Sequence, residues 1–160
     1  MAVCSEVLEH VDSPVDFLKA SRPFLAAGAK LVVTVPGGPM SAFDRHIGHR
    51  QHFTRDSISR VLAEAGFTVE RVYLSGFPFF NLYRCVVIAR GERLAVDVNA
   101  GQRGFSAWLA GTVMAVFRGL FKFNLMNSPL GWQVVAVARK TGASEGATSS
   151  VTARRQVASE

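Results

Sequence analysis

Apolar positions along this chain come in short blocks whose spacing alternates between strand-like runs and helix-like stripes. Residues 2–5 (Ala-Val-Cys-Ser) read as the last part of a buried strand. Ser13-Pro14 is a helix start, with serine as N-cap and proline in the first turn. Val15, Phe17, Leu18, Phe24 and Leu25 give a helix over 14–26 its apolar face, and Gly28 stops it. The β-branched run over 30–35 fits a strand buried on both faces. Pro36-Gly37-Gly38-Pro39 ends that run in a turn.

A loop rich in histidine and arginine spans 40–53, and Thr54 then caps a second amphipathic helix. Ile58, Val61 and Leu62 face inward on it, and Ala65-Gly66 closes it. Residues 67–74 alternate as a strand. Residues 77–89 are aromatic and apolar, which predicts helical structure, and 90–104 read as a polar connector. A long helix is expected over 105–125, with Trp108, Leu109, Val113, Val116, Phe117 and Leu120 as its apolar surface. The last strand falls at 132–139. Strands separated by helices imply an α/β domain with a largely parallel sheet. The domain is expected over 1–140, carrying an apolar helical insertion at about 76–128. Residues 141–160, small and polar, are expected to form a disordered tail.

Composition changes this picture little. The chain's 160 residues suffice for one domain with a core, and 49% hydrophobic with 19% charged residues argues against wholesale disorder. A net charge of +6 and a pI near 10.0 favour anionic partners, but the basic residues are scattered. No finger, RNP-like or basic-helix pattern occurs, so a nucleic-acid partner is not expected. Cys4 and Cys85 lack metal-like or redox-motif spacing, which reads as two buried thiols in a reduced, cytoplasmic protein. No basic segment leads into an apolar one at the N-terminus, so no signal peptide is expected. The apolar run over 105–117, broken by Arg118, falls short of the roughly 20 residues that cross a bilayer.

The chemistry concentrates near the start of the chain. Glu6, Glu9 and His10 stand at i, i+3 and i+4 and share one face if the stretch is helical. They follow the first strand directly, where open α/β sheets place their ligands.

The run Glu6-Val7-Leu8-Glu9-His10-Val11-Asp12, the segment Phe24-Leu25-Ala26-Ala27-Gly28 and the strand Leu31-Val32-Val33-Thr34-Val35-Pro36 together resemble the C-terminal half of class I S-adenosylmethionine-dependent methyltransferases. Gly48-His49-Arg50-Gln51-His52-Phe53-Thr54 and Glu64-Ala65-Gly66-Phe67 extend the likeness through about residue 75, and residues 131–139 resemble the final strand. The resemblance implies a partial Rossmann-like sheet made of strands four to seven of seven, the last antiparallel, with flanking helices. The glycine-rich loop and the ribose-binding acid of that family would lie upstream, and no G-x-G occurs here. The expectation is therefore of an N-terminally truncated product, or of a chain that assembles with a separate N-terminal half, inactive alone. Its first strand would offer an apolar, unpaired edge.

The resemblance also suggests roles. Ubiquinone-pathway O-methyltransferases and terminal-ribose methyltransferases of small RNAs use Glu-x-x-Glu-His to hold a divalent metal. By that likeness Glu6, Glu9 and His10 would be ligands of Mg²⁺, Mn²⁺ or Zn²⁺, completed by His49, which is also the catalytic candidate. In many metal-free relatives the same glutamate caps a turn and the histidine packs, so both readings stand at this point. Ser5 falls where relatives touch the methionine part of S-adenosylmethionine. His46 and His52 flank His49 as candidate bases. Residues 77–83 and the helix over 105–125 lie where the family recognises substrate. Arg118 and Lys122 beside Phe117, Phe121 and Phe123 would suit peripheral contact with anionic lipid. The function expected is methyl transfer to a small-molecule or lipid-like acceptor. The alternative is a non-catalytic remnant or interaction module, and a membrane-peripheral one is included in that alternative.

Overall fold

The computed structural model describes the backbone of residues 1–99 and 105–141, and the side chains of 1–89 and 111–141. Four strands form one open sheet: β1 (Ala2–Ser5), β2 (Lys30–Pro36), β3 (Phe67–Ser75) and β4 (Gln133–Lys140), in the order β1-β2-β4-β3. β1 pairs parallel to β2, with Val3 opposite Val32. β4 runs antiparallel to both neighbours, and its Ala136 lies opposite Val33 on one side and Val72 on the other. The first three strands therefore share a direction and the last reverses it. This is the partial Rossmann-like α/β sheet that strands four to seven of a methyltransferase would make.

The core lies on one face of the sheet. Leu31, Val33 and Val35 of β2 and Val134, Ala136 and Ala138 of β4 are buried there. Helix α1 (Pro14–Ser21) brings Leu18 onto them, and helix α3 (Arg55–Glu64) brings Ile58 and Leu62. Both helices start where their caps dictate. Ser13 accepts from the Asp16 amide, and Thr54 and Ser57 exchange side-chain and backbone bonds. α1 stops at Ser21, short of residue 26, because Pro23 cannot continue the hydrogen-bond ladder, and a 3₁₀ turn takes over at Arg22–Phe24.

Three expectations about burial also need correction. β2 is buried on one face only: Val32 and Thr34 stay half-exposed, since α1 and α3 cover the same side. β1 is an edge strand, not a buried one, and Val3 is 63% exposed. The two thiols are not both buried: Cys4 on that edge is half-buried, and Cys85 is exposed.

Between β3 and β4 the chain is helical. α4 (Phe79–Asn99) continues through ten residues that read as a polar connector. Its first half supplies good helix formers in Arg90, Glu92, Arg93, Leu94 and Ala95, which are polar or small without opposing a helix. α5 (Phe105–Leu120) gives way to a 3₁₀ turn at Phe121–Phe123, so no single helix spans 105–125. Tyr83 of α4 stacks edge-on against Phe117 and Phe121, with ring centroids 5.5 and 5.9 Å apart, and binds the two helices. The side chains of Trp108 and Leu109 and the tail from residue 142 lie outside the described residues.

Candidate functional site

The segment after β1 turns; it does not form a helix. Glu6 adopts φ +53°, a left-handed backbone that non-glycine residues seldom take, and this breaks any helical path before it starts. Glu6, Glu9 and His10 consequently do not share a helix face. The Glu6 carboxylate stays at the rim of the sheet, accepting from Thr34 Oγ1 at 3.1 Å and Gln133 Nε2 at 2.7 Å. Ser5 completes this rim, its hydroxyl 2.7 Å from that of Thr34. Glu9 instead enters the interior and is 0% exposed.

Glu9, His10 and His49 converge. One ligand atom from each lies within 4.8 Å of the others. The loop carrying His49 is stitched to the turn carrying Glu9 through the backbone, where the Arg50 amide donates to the Glu9 carbonyl at 2.7 Å. Arg50 also donates to the His10 carbonyl and pairs with Asp12. Yet neither side-chain oxygen of Glu9 has a hydrogen-bond partner, and His10 Nε2 stands 3.9 Å from Oε1. A buried carboxylate so poorly compensated is costly, and burial, assisted by the charge on Glu6, pushes its pKa up against the opposing pull of its own backbone amide and of His10. Such a group is what a cation would satisfy.

The two imidazoles are oriented by main-chain acceptors. His10 Nδ1 donates to the Gly48 carbonyl at 3.2 Å, which leaves its Nε2 with the lone pair. His52 Nδ1 donates to the Gly38 carbonyl at 3.1 Å. Since His52 donates from Nδ1, its Nε2 is the side that can accept from His49 Nδ1 across 3.3 Å, an arrangement that leaves His49 Nε2 with a lone pair. Burial lowers the His49 pKa against the pull of Asp44, which favours the uncharged ring. This geometry sets two lone pairs beside one buried carboxyl group.

A second cluster backs the first. Asp44 lies 3.8 Å from His49 and 3.9 Å from His52, and all three have metal-compatible spacing. Its oxygens, however, are already taken. Oδ2 accepts from the Ser41 amide and hydroxyl and from Arg84, each at 2.7 Å, and Oδ1 accepts from Arg84 at 2.7 Å. Asp44 is thus a fixed counter-charge for the imidazoles and not a free ligand. His46, the last residue of the short helix α2 (Ala42–His46), lies on the surface. Sequence reasoning missed α2, Asp44 and Arg84. The Ser41-x-x-Asp44 capping box was a usable signal for the first two.

Comparison with known proteins adds to this geometry. Residues 1–72 match the family model of a methyltransferase domain. The methyltransferase match takes in Ser5, Glu6, Glu9, His10 and His49 and ends inside β3. No curated protein matches the chain. Among solved structures, it is similar to a putative methyltransferase from Bacillus halodurans, at 16% identity and a TM-score of 0.48, over 88% of this chain and 63% of that one. It is also similar to phosphoethanolamine N-methyltransferase 2 of Haemonchus contortus in complex with S-adenosyl-L-methionine, at 14% identity, a TM-score of 0.43 and 33% coverage of that chain. A third is geranyl diphosphate C-methyltransferase from Streptomyces coelicolor A3(2), whose complex holds Mg²⁺, geranyl diphosphate and S-adenosyl-L-homocysteine, at 14% identity and a TM-score of 0.43. The chain covers 46% of that protein, and thus spans less than two thirds of each of the three.

Proposed function

We propose that this chain serves methyl transfer from S-adenosylmethionine to an oxygen of a small-molecule or lipid-like acceptor, with a divalent cation held by Glu9, His10 and His49. The observation that carries the reading is the buried Glu9 carboxylate, whose oxygens accept no hydrogen bond from another described residue and which lies beside two imidazoles. One carboxylate and two imidazoles suit Mn²⁺ or Zn²⁺ and leave coordination positions open. When bound, the cation would supply Lewis acidity that lowers the pKa of an acceptor hydroxyl.

The chain's own residues do the positioning. His52 and the Gly38 carbonyl hold His49 in one tautomer, and the Gly48 carbonyl does the same for His10. Thr34 and Gln133 keep Glu6 at the rim, apart from the proposed ligands, beside the Ser5 hydroxyl that would meet the methionine part of the cofactor. Methyl transfer is an in-line displacement, and its rate depends on how well the two reactants are aligned. No G-x-G segment occurs among the 160 residues, so these residues alone would hold S-adenosylmethionine weakly. That same lack favours, as a second reading, a non-catalytic interaction module.

Calorimetric titration with Mn²⁺ tests the site apart from any activity. One binding site, abolished by Glu9→Gln or His49→Ala and kept by Glu6→Gln, is the expected result. Absence of Mn²⁺ and Zn²⁺ binding would refute the metal. Methyl-transfer assays across phenol, amine and lipid acceptors then separate the enzyme from the interaction module, which transfers to none.

A further inference from the structure

We propose that α5 and the turn after it form a surface that lies on an anionic lipid bilayer. In α5 only Phe117 and Leu120 are drawn inward among the described side chains, against the aromatic cluster of α4. Val113, Met114 and Val116 on the rest of the helix are 41–56% exposed, and Phe123, Leu125 and Met126 beyond it are 54–77% exposed. Large apolar side chains normally reach the surface singly, and a contiguous set marks a contact face.

Charge identifies the occupant. From residue 98 to residue 144 the sequence contains no aspartate or glutamate, and Arg118 and Lys122 stand exposed among the apolar residues. Their stems can lie along apolar surface while the charged ends reach phosphate headgroups. A second copy of this chain fits worse, because a two-fold contact would press together two faces that both carry Arg118 and Lys122 in a segment without an acid. No helix among the described residues is long and apolar enough to cross a membrane, so this face lies on the bilayer without passing through it.

The inference goes beyond methyl transfer and does not depend on it. It does bear on the acceptor, since Tyr83, which packs on Phe117, precedes Arg84, which holds Asp44 behind the histidines. A face seated on lipid would bring the site close to a membrane-borne acceptor.

The test is co-sedimentation of the full chain with vesicles of phosphatidylcholine alone, or of phosphatidylcholine and phosphatidylglycerol in equal parts. Partitioning is expected to be about tenfold or more stronger on the anionic vesicles and to weaken with salt. Arg118→Glu with Lys122→Glu should abolish the difference, and Val116→Asp should lower binding to both. Circular dichroism confirms that these surface variants remain folded. Equal or absent pelleting on the two vesicle types overturns the proposal, as does a charge-reversed variant that pellets like the parent. Dimers without lipid that Val116→Asp dissolves, together with no pelleting, would assign the face to a second copy. Mn²⁺ binding is read separately, so neither result stands in for the other.

Discussion

The guanidinium of Arg84 meets both carboxylate oxygens of Asp44 at 2.7 Å, although 40 positions separate the two residues. Both are nearly excluded from solvent, with side chains 11% and 0% exposed. The pair fastens α4 to α2 and holds a negative charge behind His49 and His52.

Arg84→Met would leave that carboxylate buried with only Ser41 as donor. Removing one member of a buried pair costs about 3–5 kcal/mol. The double variant Arg84→Met, Asp44→Asn should lose less than the sum of the single changes. Denaturant midpoints of the three variants check this.

Acid should weaken the fold through Asp44. Burial alone would raise its pKa, but the bonds from Arg84 and Ser41 override burial and hold it well below the usual carboxylate range. As pH falls, the unfolded chain takes the proton first, so the stabilisation is complete above about pH 4 and disappears progressively below it. Asp44→Asn should lower stability at neutral pH and flatten this acid limb. Urea midpoints from pH 6 down to pH 3 for the two proteins give the comparison.

Glu9→Leu should have opposite effects on stability and binding. Replacing an unpartnered buried carboxylate by an apolar group is expected to stabilise the metal-free chain by about 1–3 kcal/mol. Because the Glu9 pKa is raised, the gain should appear as pH rises through the folded-state value and vanish below the unfolded one. The parent alone should gain thermal stability on adding Mn²⁺. Thermal melts with and without the ion distinguish the cases.

Gly38→Ala should damage both the fold and the site. Gly38 sits at φ +69°, and a Cβ there would come within 2.6 Å of Trp132 Cγ. A cost of about 1–3 kcal/mol follows from backbone strain at such a position. The Gly38 carbonyl would shift away from His52, and ¹⁵N NMR of the imidazoles should report a mixture of His49 tautomers.

Val3→Lys should make the protein less prone to self-association. Val3 is 63% exposed on an edge strand, and a charge there discourages strand addition. Light scattering over a concentration series, with parent and variant side by side, gives the answer.

Much of the scaffold was readable because its causes are local. Ser13-Pro14 and Thr54 set the starts of α1 and α3, and the β-branched run from Lys30 set β2. The resemblance supplied the reversed last strand, which no local signal carries. The site was legible in part. Glu9, His10 and His49 converge as a set, but Glu6 leaves it through a left-handed backbone that its spacing could not reveal. The Arg84–Asp44 pair was hidden because it depends on how a distant helix packs. α4 ran past its expected end because propensity is summed along a helix, and polar residues can be good formers.

The acceptors that orient His10 and His52 belong to the main chain, at Gly48 and Gly38. The tautomer of His10, and through the His52 ring that of His49, is accordingly stored in the shape of two bends. Drift in the surrounding residues would leave both rings facing the same way, whereas a small rotation at Gly48 would release His10 and one at Gly38 would release His52, on which His49 leans. Comparisons among homologues that track only histidines and acids would overlook these two positions, although they hold the rings in place.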